Sequence, residues 1–137
     1  MKALTVLQPY AGWIASRNKT IETRTWQTKF RGDLLICSGQ RIHSLFKDDY
    51  KNHKGDWQNK WLNLFGKALC IVCIEDCKPM TFDDEKLAMC EHYPGAWSWY
   101  LSNIRQIKPF DIKGQLGLFD IDDSKIRVAE WHYNIDQ

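Results

Sequence analysis

An unbroken apolar run, Ala68-Leu69-Cys70-Ile71-Val72-Cys73-Ile74, most narrows the folds open to this chain. Ile and Val favour an extended, pleated backbone, so the run reads as a strand. It is far shorter than the roughly 20 apolar residues that cross a bilayer as a helix. A strand needs partners, and the sequence offers several. Ala3 to Gln8 alternates and carries β-branched residues. Leu34 to Ser38 follows a turn at Gly32-Asp33, and Gly39 closes it. The segment "AWSWYLSNIRQIKPF" opens with aromatic alternation and is limited by Pro109, while "KGQLGLFDID" makes a last strand before a polar tail.

Helical signals are fewer. Pro9 suits a first helical turn, where its missing N–H costs nothing. Tyr10, Trp13 and Ile14 follow at helical spacing, so a short amphipathic helix is expected from Pro9 to about Asn18. "TFDDEKLAMCEH" reads as a second helix, with Thr81 or Asp83 as its cap and acidic residues in its first turn. Residues 40–66 are polar and rich in Lys and Asn, and read as a mobile insertion with one or two helical turns.

Short strands, few helices and glycine turns predict an α+β, mostly β fold. The expected form is a small, mostly antiparallel barrel with two or three external helices. A two-layer α+β sheet is the alternative. At 137 residues the chain is expected to be one domain. The N-terminal segment lacks a signal-peptide pattern, no stretch reads as a membrane span, and five cysteines, an odd number in apolar segments, fit a reducing cytoplasm. Residues 1–67 carry a charge balance of +7 and residues 68–137 one of −5. A basic half suits a polyanion partner, unless the two halves interleave in space.

The chemistry concentrates in "RNKTIETRTW", Arg17 to Trp26. Its Thr and Ile favour a strand, along which alternate residues share a face. Thr20, Glu22, Arg24 and Trp26 therefore point one way, with Glu22 and Arg24 about 6–7 Å apart. Such a pair can grip one ligand together. It can also be a surface ion pair contributing about 0–1 kcal/mol. Lys19 stands at the helix-to-strand turn, where the chain can curl it toward the same mouth. Glu75, at the end of the apolar run, is expected to be a buried carboxylate needing Lys19 or Arg24 as a partner.

Lys19-Thr20-Ile21-Glu22-Thr23-Arg24 resembles the K-x-x-E-x-R core of the activating signal cointegrator homology (ASCH) family. "LQPYAGWI" before it, "RGDLLICSG" after it and "WSWYLSNIRQIKPFDIKGQLGLFDI" further on are similar to other family segments. Where the family has glycine two residues before the lysine, this chain has Arg17. The resemblance covers residues 3–122 and implies a barrel like that of the pseudouridine synthase and archaeosine transglycosylase (PUA) domain. It also implies a cleft that binds RNA or a modified nucleoside. A related subgroup hydrolyses N4-acetylcytidine with a lysine, a threonine and a glutamate. By position, Lys19 matches the lysine, Glu22 stands where the threonine would be, and Glu75 is the best match for the glutamate. The expected binding set is Arg17, Lys19, Glu22, Arg24 and Trp26, and the expected catalytic set is Lys19, Glu22 and Glu75.

Other patterns carry less. Cys70-x-x-Cys73 has metal-ligand spacing, but on a strand the two point to opposite faces, so neither a metal nor a cofactor is expected. His43, His53, His92 and His132 form no catalytic or metal spacing. Lys47, Lys51, Lys54 and Lys60 make either a phosphate-contacting arm or a solvated loop. Trp97 and Trp99 are expected to pack in the core with Leu101. The leading reading is recognition of RNA or a nucleotide. A small hydrolase using the same cleft, either an N4-acetylcytidine amidohydrolase or a ribonuclease, is the second, and a protein-interaction module is the third.

Overall fold

The computed structural model describes residues 1–129. The polar tail that holds His132 lies beyond them. Six strands form one mixed sheet: β1 (Lys2–Gln8), β2 (Ile21–Arg24), β3 (Gly32–Ile42), β4 (Lys67–Pro79), β5 (Trp97–Asp111) and β6 (Leu118–Asp120). Their order is β2-β5-β4-β3-β1-β6, with β1 and β3 parallel and every other pair antiparallel. The apolar run lies in β4, between β3 and β5, where both faces are covered and its residues are almost wholly buried.

The expected barrel is not closed: β2 and β6 remain the sheet's two edges. A flat sheet would hold β2 and β1 about 19 Å apart, four strand spacings. Yet Arg24 Nη2 on β2 donates to the Thr5 carbonyl on β1 at 2.8 Å. The sheet therefore coils strongly, and a side chain crosses the gap that a closed barrel would fill with backbone pairing. β6 covers only Lys2, Ala3 and Leu4, which leaves the edge of β1 from Thr5 onward without that strand partner.

Three short helices lie outside the sheet: α1 (Tyr10–Ala15), α2 (Lys47–Asn52) and α3 (Glu85–Ala88). α1 starts after Pro9 as expected, but buries Ala11, Gly12, Ile14 and Ala15 rather than its aromatic residues. It ends through Arg17 at φ 68°, a left-handed conformation that favours glycine. Thr81 closes a capping box with Asp84 in the 3-10 turn that leads into α3.

Two expectations are corrected by packing. Residues 40–66 are anchored: Trp57, Trp61 and Leu62 are buried, and the 3-10 turn Lys60–Asn63 packs on α1. Gln8 Nε2 donates to the Trp61 and Leu64 carbonyls at 2.8 and 2.7 Å, tying the segment to β1. Pro109 does not end β5, which runs to Asp111. It falls where the β4–β5 register slips between Ala68 and Cys70, and a bulge tolerates a residue with no N–H to give the ladder. Trp99 and Leu101 are buried and Trp97 packs against the same core.

Candidate functional site

Lys19, Glu22 and Arg24 form one connected charge cluster at the base of a cavity of about 820 Å³. The cavity opens between the facing edges of β1 and β2. Thr5, Val6 and Leu7 line it from β1, and Glu22, Thr23 and Arg24 from β2, followed by Thr25 and Trp26. Alternation along β2 sets Glu22 beside Arg24, whose Nε and Nη2 both lie 3.0 Å from Glu22 Oε2. Lys19 comes from the turn between α1 and β2, with its Nζ 3.6 Å from Glu22 Oε1. The same Nζ donates to the Ala88 carbonyl at the end of α3 and lies 4.9 Å from the centre of the Tyr10 ring.

The burial of this cluster decides its electrostatics. The side chain of Lys19 is 1% exposed and that of Glu22 6%. Loss of hydration lowers the Lys19 pKa, against the attraction of Glu22, which raises it. Burial pushes the Tyr10 hydroxyl up to about 12, and Cys90, Glu22 and Tyr93 push in the same direction. Tyr93 is also raised, again chiefly by burial. Arg24, at 24% exposure, keeps its Nη1 clear of any hydrogen bond among the described residues, as a donor still to be used.

Two further walls were not legible as site residues. Met89 leaves α3 at φ 55° and turns the chain so that Cys90, Glu91, His92 and Tyr93 cross one side of the cavity. Tyr93 donates its hydroxyl proton to Thr23 Oγ1 at 3.1 Å, and Cys90 Sγ lies 3.6 Å from the same oxygen. The insertion supplies the other wall through His43, Leu45 and Phe46. His43 and Phe46 meet Tyr10 edge-on, at ring separations of 5.3 and 5.6 Å. The only advance signal for either wall was compositional: an aromatic or histidine residue in a turn.

Two of the expected site residues lie elsewhere. Glu75 is exposed and does not line the cavity. The register of β4 against β5 slips between Ile74 and Asp76, which makes Glu75 the extra residue of a bulge and frees it from the buried alternation. Lys19 and Arg24 pair with Glu22 instead. Arg17 sits at the left-handed end of α1, and its Nη2 donates to the Ile104 carbonyl at 3.2 Å, away from the cavity. Trp26 does line the cavity, exposed, its ring edge-on to Trp99. Among the described residues no three His, Cys, Asp or Glu side chains gather as metal ligands would, and no helix is long and apolar enough to cross a membrane.

A coiled, open mixed sheet whose edge strand, with the turn before it, carries Lys-x-x-Glu-x-Arg into an aromatic-walled cavity defines a recognisable class of small domain. The model of the ASCH domain matches residues 4–111, and the chain belongs to that family. It is similar in fold to the crystal structure of ASCH from Zymomonas mobilis, with a TM-score of 0.60 and 10% identity over 88% of this chain and 87% of that one. Crystal structures of two single-residue variants of the Zymomonas mobilis protein match with TM-scores of 0.54 and 0.53, at 10% and 9% identity. They cover 88% of this chain in both cases, and 89% and 87% of theirs. No curated protein matches the chain.

Proposed function

We propose that this ASCH domain recognises a nucleoside or an unpaired nucleotide of RNA in the cavity between β1 and β2. The observation that carries the reading is the buried Lys19–Glu22–Arg24 cluster at the base of an aromatic-walled cavity. A nucleobase has a planar π-face and a polar edge with both donors and acceptors. Tyr10, Trp26, Phe46 and Tyr93 supply ring surface, and base–aromatic stacking is worth about 1–3 kcal/mol per base. Arg24 Nη1 and the Lys19 ammonium supply donors, and Glu22 an acceptor, in fixed positions with water largely excluded. Unlike a flat interaction surface, such a cavity suits a small planar ligand, which sets the protein-interaction reading third.

A second reading, hydrolysis at the same site, is favoured by Lys19. An amine whose pKa is lowered by burial is suited to proton transfer nearer neutrality than an ordinary lysine. The residues for that chemistry are Lys19 and Glu22. Glu75 drops out because it faces solvent, and Glu91 is the second carboxylate of the cavity.

Lys19→Met keeps the aliphatic stem and removes the ammonium, so it tests both readings. Wild type is expected to bind cytidine, N4-acetylcytidine or single-stranded RNA by titration calorimetry, and Lys19→Met to lose at least about 10-fold in affinity, the worth of a charged hydrogen bond. Release of acetate from N4-acetylcytidine by wild type and not by the variant would establish the hydrolase. Equal affinities in the two proteins would refute a ligand site at this cluster.

A further inference from the structure

The two segments that supply the cavity's flanking walls differ in charge, with Glu91 lining one side and exposed cations bracketing the other, and that asymmetry gives a direction to a bound strand. Residues 81–93 carry Asp83, Asp84, Glu85 and Glu91 against Lys86 alone. Residues 40–66, the insertion, carry five cations, Arg41, Lys47, Lys51, Lys54 and Lys60, against three aspartates. None of those five cations makes an ion pair among the described residues. Elsewhere Lys2, Lys19, Arg24, Arg31, Lys67, Lys78 and Arg105 do, while the remaining unpaired cations among the described residues lie outside the cavity lining. Two of the insertion's aspartates are engaged internally. Asp49 accepts from the Trp57 indole at 2.8 Å, and Asp56 from Asn63 at 3.3 Å. Asp48 alone remains, beside Lys47.

Arg41 and Lys47 bracket the cavity-lining residues His43, Leu45 and Phe46, and both are exposed. Leu45 is 75% exposed although it lines the cavity, so the wall between the two cations is open to whatever leaves the mouth. The segment under them is a fixed platform, because Gln8 and the buried Trp61 hold it to β1 and α1. Exposed cations that make no ion pair, on a rigid support, are what phosphate contacts need, whereas Glu91 on the opposite wall would repel the same phosphates.

We infer that the physiological ligand is a single-stranded polynucleotide rather than a free nucleoside, and that its backbone leaves the cavity across the insertion, with phosphates at Arg41 and Lys47. The inference rests on the nucleotide reading of the cavity and extends it to the partner's length and path. A strand that wound toward residues 89–93 would meet Glu91 instead.

The test compares the full chain with an Arg41→Gln/Lys47→Gln double variant, and with a Lys108→Gln/Lys125→Gln control. The control cations are exposed, make no ion pair among the described residues and lie outside the cavity lining. The probes are the four homopolymeric RNA hexamers and the four nucleoside 5′-monophosphates, titrated at several salt concentrations. At about 0.7 per phosphate on a single strand, losing two contacts lowers the salt slope by about 1.4 and weakens hexamer binding about 25-fold at about 0.1 M salt. That loss, with monophosphate affinity and the control unchanged, is the result expected. Hexamer binding that survives the double variant, or that falls equally in the control, overturns the path while monophosphate binding leaves the cavity reading standing. Failure of every probe to bind wild type overturns both.

Discussion

Gln8 and Lys19 lie at the two ends of the α1 region, 0% and 1% exposed, and both hold neighbouring segments by hydrogen bonds to backbone carbonyls. The difference is in what surrounds them. The Gln8 amide is neutral and its bonds are closed: two carbonyls of the insertion accept from it, and the Gly12 N–H donates to it at 2.8 Å. Lys19 is charged, its counter-charge is shared with Arg24, and the cluster faces a cavity. Burying a neutral, fully bonded amide costs little, whereas burying an ammonium costs several kcal/mol unless it is paired. A hydrophobic residue could have closed the gap between β1 and β2 more cheaply. The three charges retained there support the proposed ligand site, whereas the closed Gln8 bonds serve the scaffold.

Breaking the scaffold side gives the largest expected effect on stability. Gln8→Ala leaves the Trp61 and Leu64 carbonyls and the Gly12 N–H without their partner in a dry region. At about 1–3 kcal/mol for each buried group left unsatisfied, less what water recovers, the loss is about 3–5 kcal/mol. Urea unfolding should show it as a lower midpoint. Residues 43–46 should then loosen, and ligand affinity should fall with them, because the insertion wall loses its anchor.

The charged side breaks differently, and with a pH signature. Glu22→Gln removes the counter-charge of a buried lysine, an expected cost of about 3 kcal/mol near neutral pH. Without Glu22 the Lys19 pKa falls further, since that carboxylate is what raises it against burial. The sign follows. Between the variant's folded Lys19 pKa and the wild type's higher one, folded wild type holds a proton that the folded variant does not, while both unfolded chains hold it. Stability relative to wild type therefore recovers as pH rises through that window. Urea midpoints of both proteins from pH 7 to pH 10 measure the gap. A deficit that stays constant across the range would mean that Lys19 is not the group left stranded.

This contrast explains how far the sequence could be read. The strands of β1, β3 and β4, the helix after Pro9 and the Glu22–Arg24 juxtaposition all depend on local alternation, which residue types reveal. Glu75 was misplaced because a bulge adds one residue with no local signature, and one residue inverts the facing of everything near it. The open sheet was missed because closure depends on whether β2 pairs with β1, and here Arg24 bonds Thr5 from a side chain instead. The insertion looked like solvated loop because its composition is polar. Trp61 and the distant Gln8 hold it, an interaction between residues 53 positions apart. The cavity wall at Cys90 to Tyr93 likewise arises only when α3 docks beside β2.

The smallest expected effect falls between the two regions, at the turn that joins α1 to Lys19. Arg17 holds φ 68°, where an L side chain brings Cβ close to the following carbonyl, at about 1–2 kcal/mol. Glycine carries no such strain but loses more backbone entropy on folding, about 0.5–1 kcal/mol. The Arg17 bond to the Ile104 carbonyl is exposed and contributes little. Arg17→Gly should therefore stabilise the fold by about 0.5–1 kcal/mol, a small rise in the urea midpoint. Lys19 is two residues on, and its backbone N–H is held by the Trp13 carbonyl at 3.0 Å, so the variant should leave its position and the cavity unchanged. Unchanged RNA affinity with raised stability would show that Arg17 shapes the turn without touching ligand. A loss of affinity with the same rise in stability would return Arg17 to the binding set, and would mean that its side chain leaves Ile104 when ligand arrives.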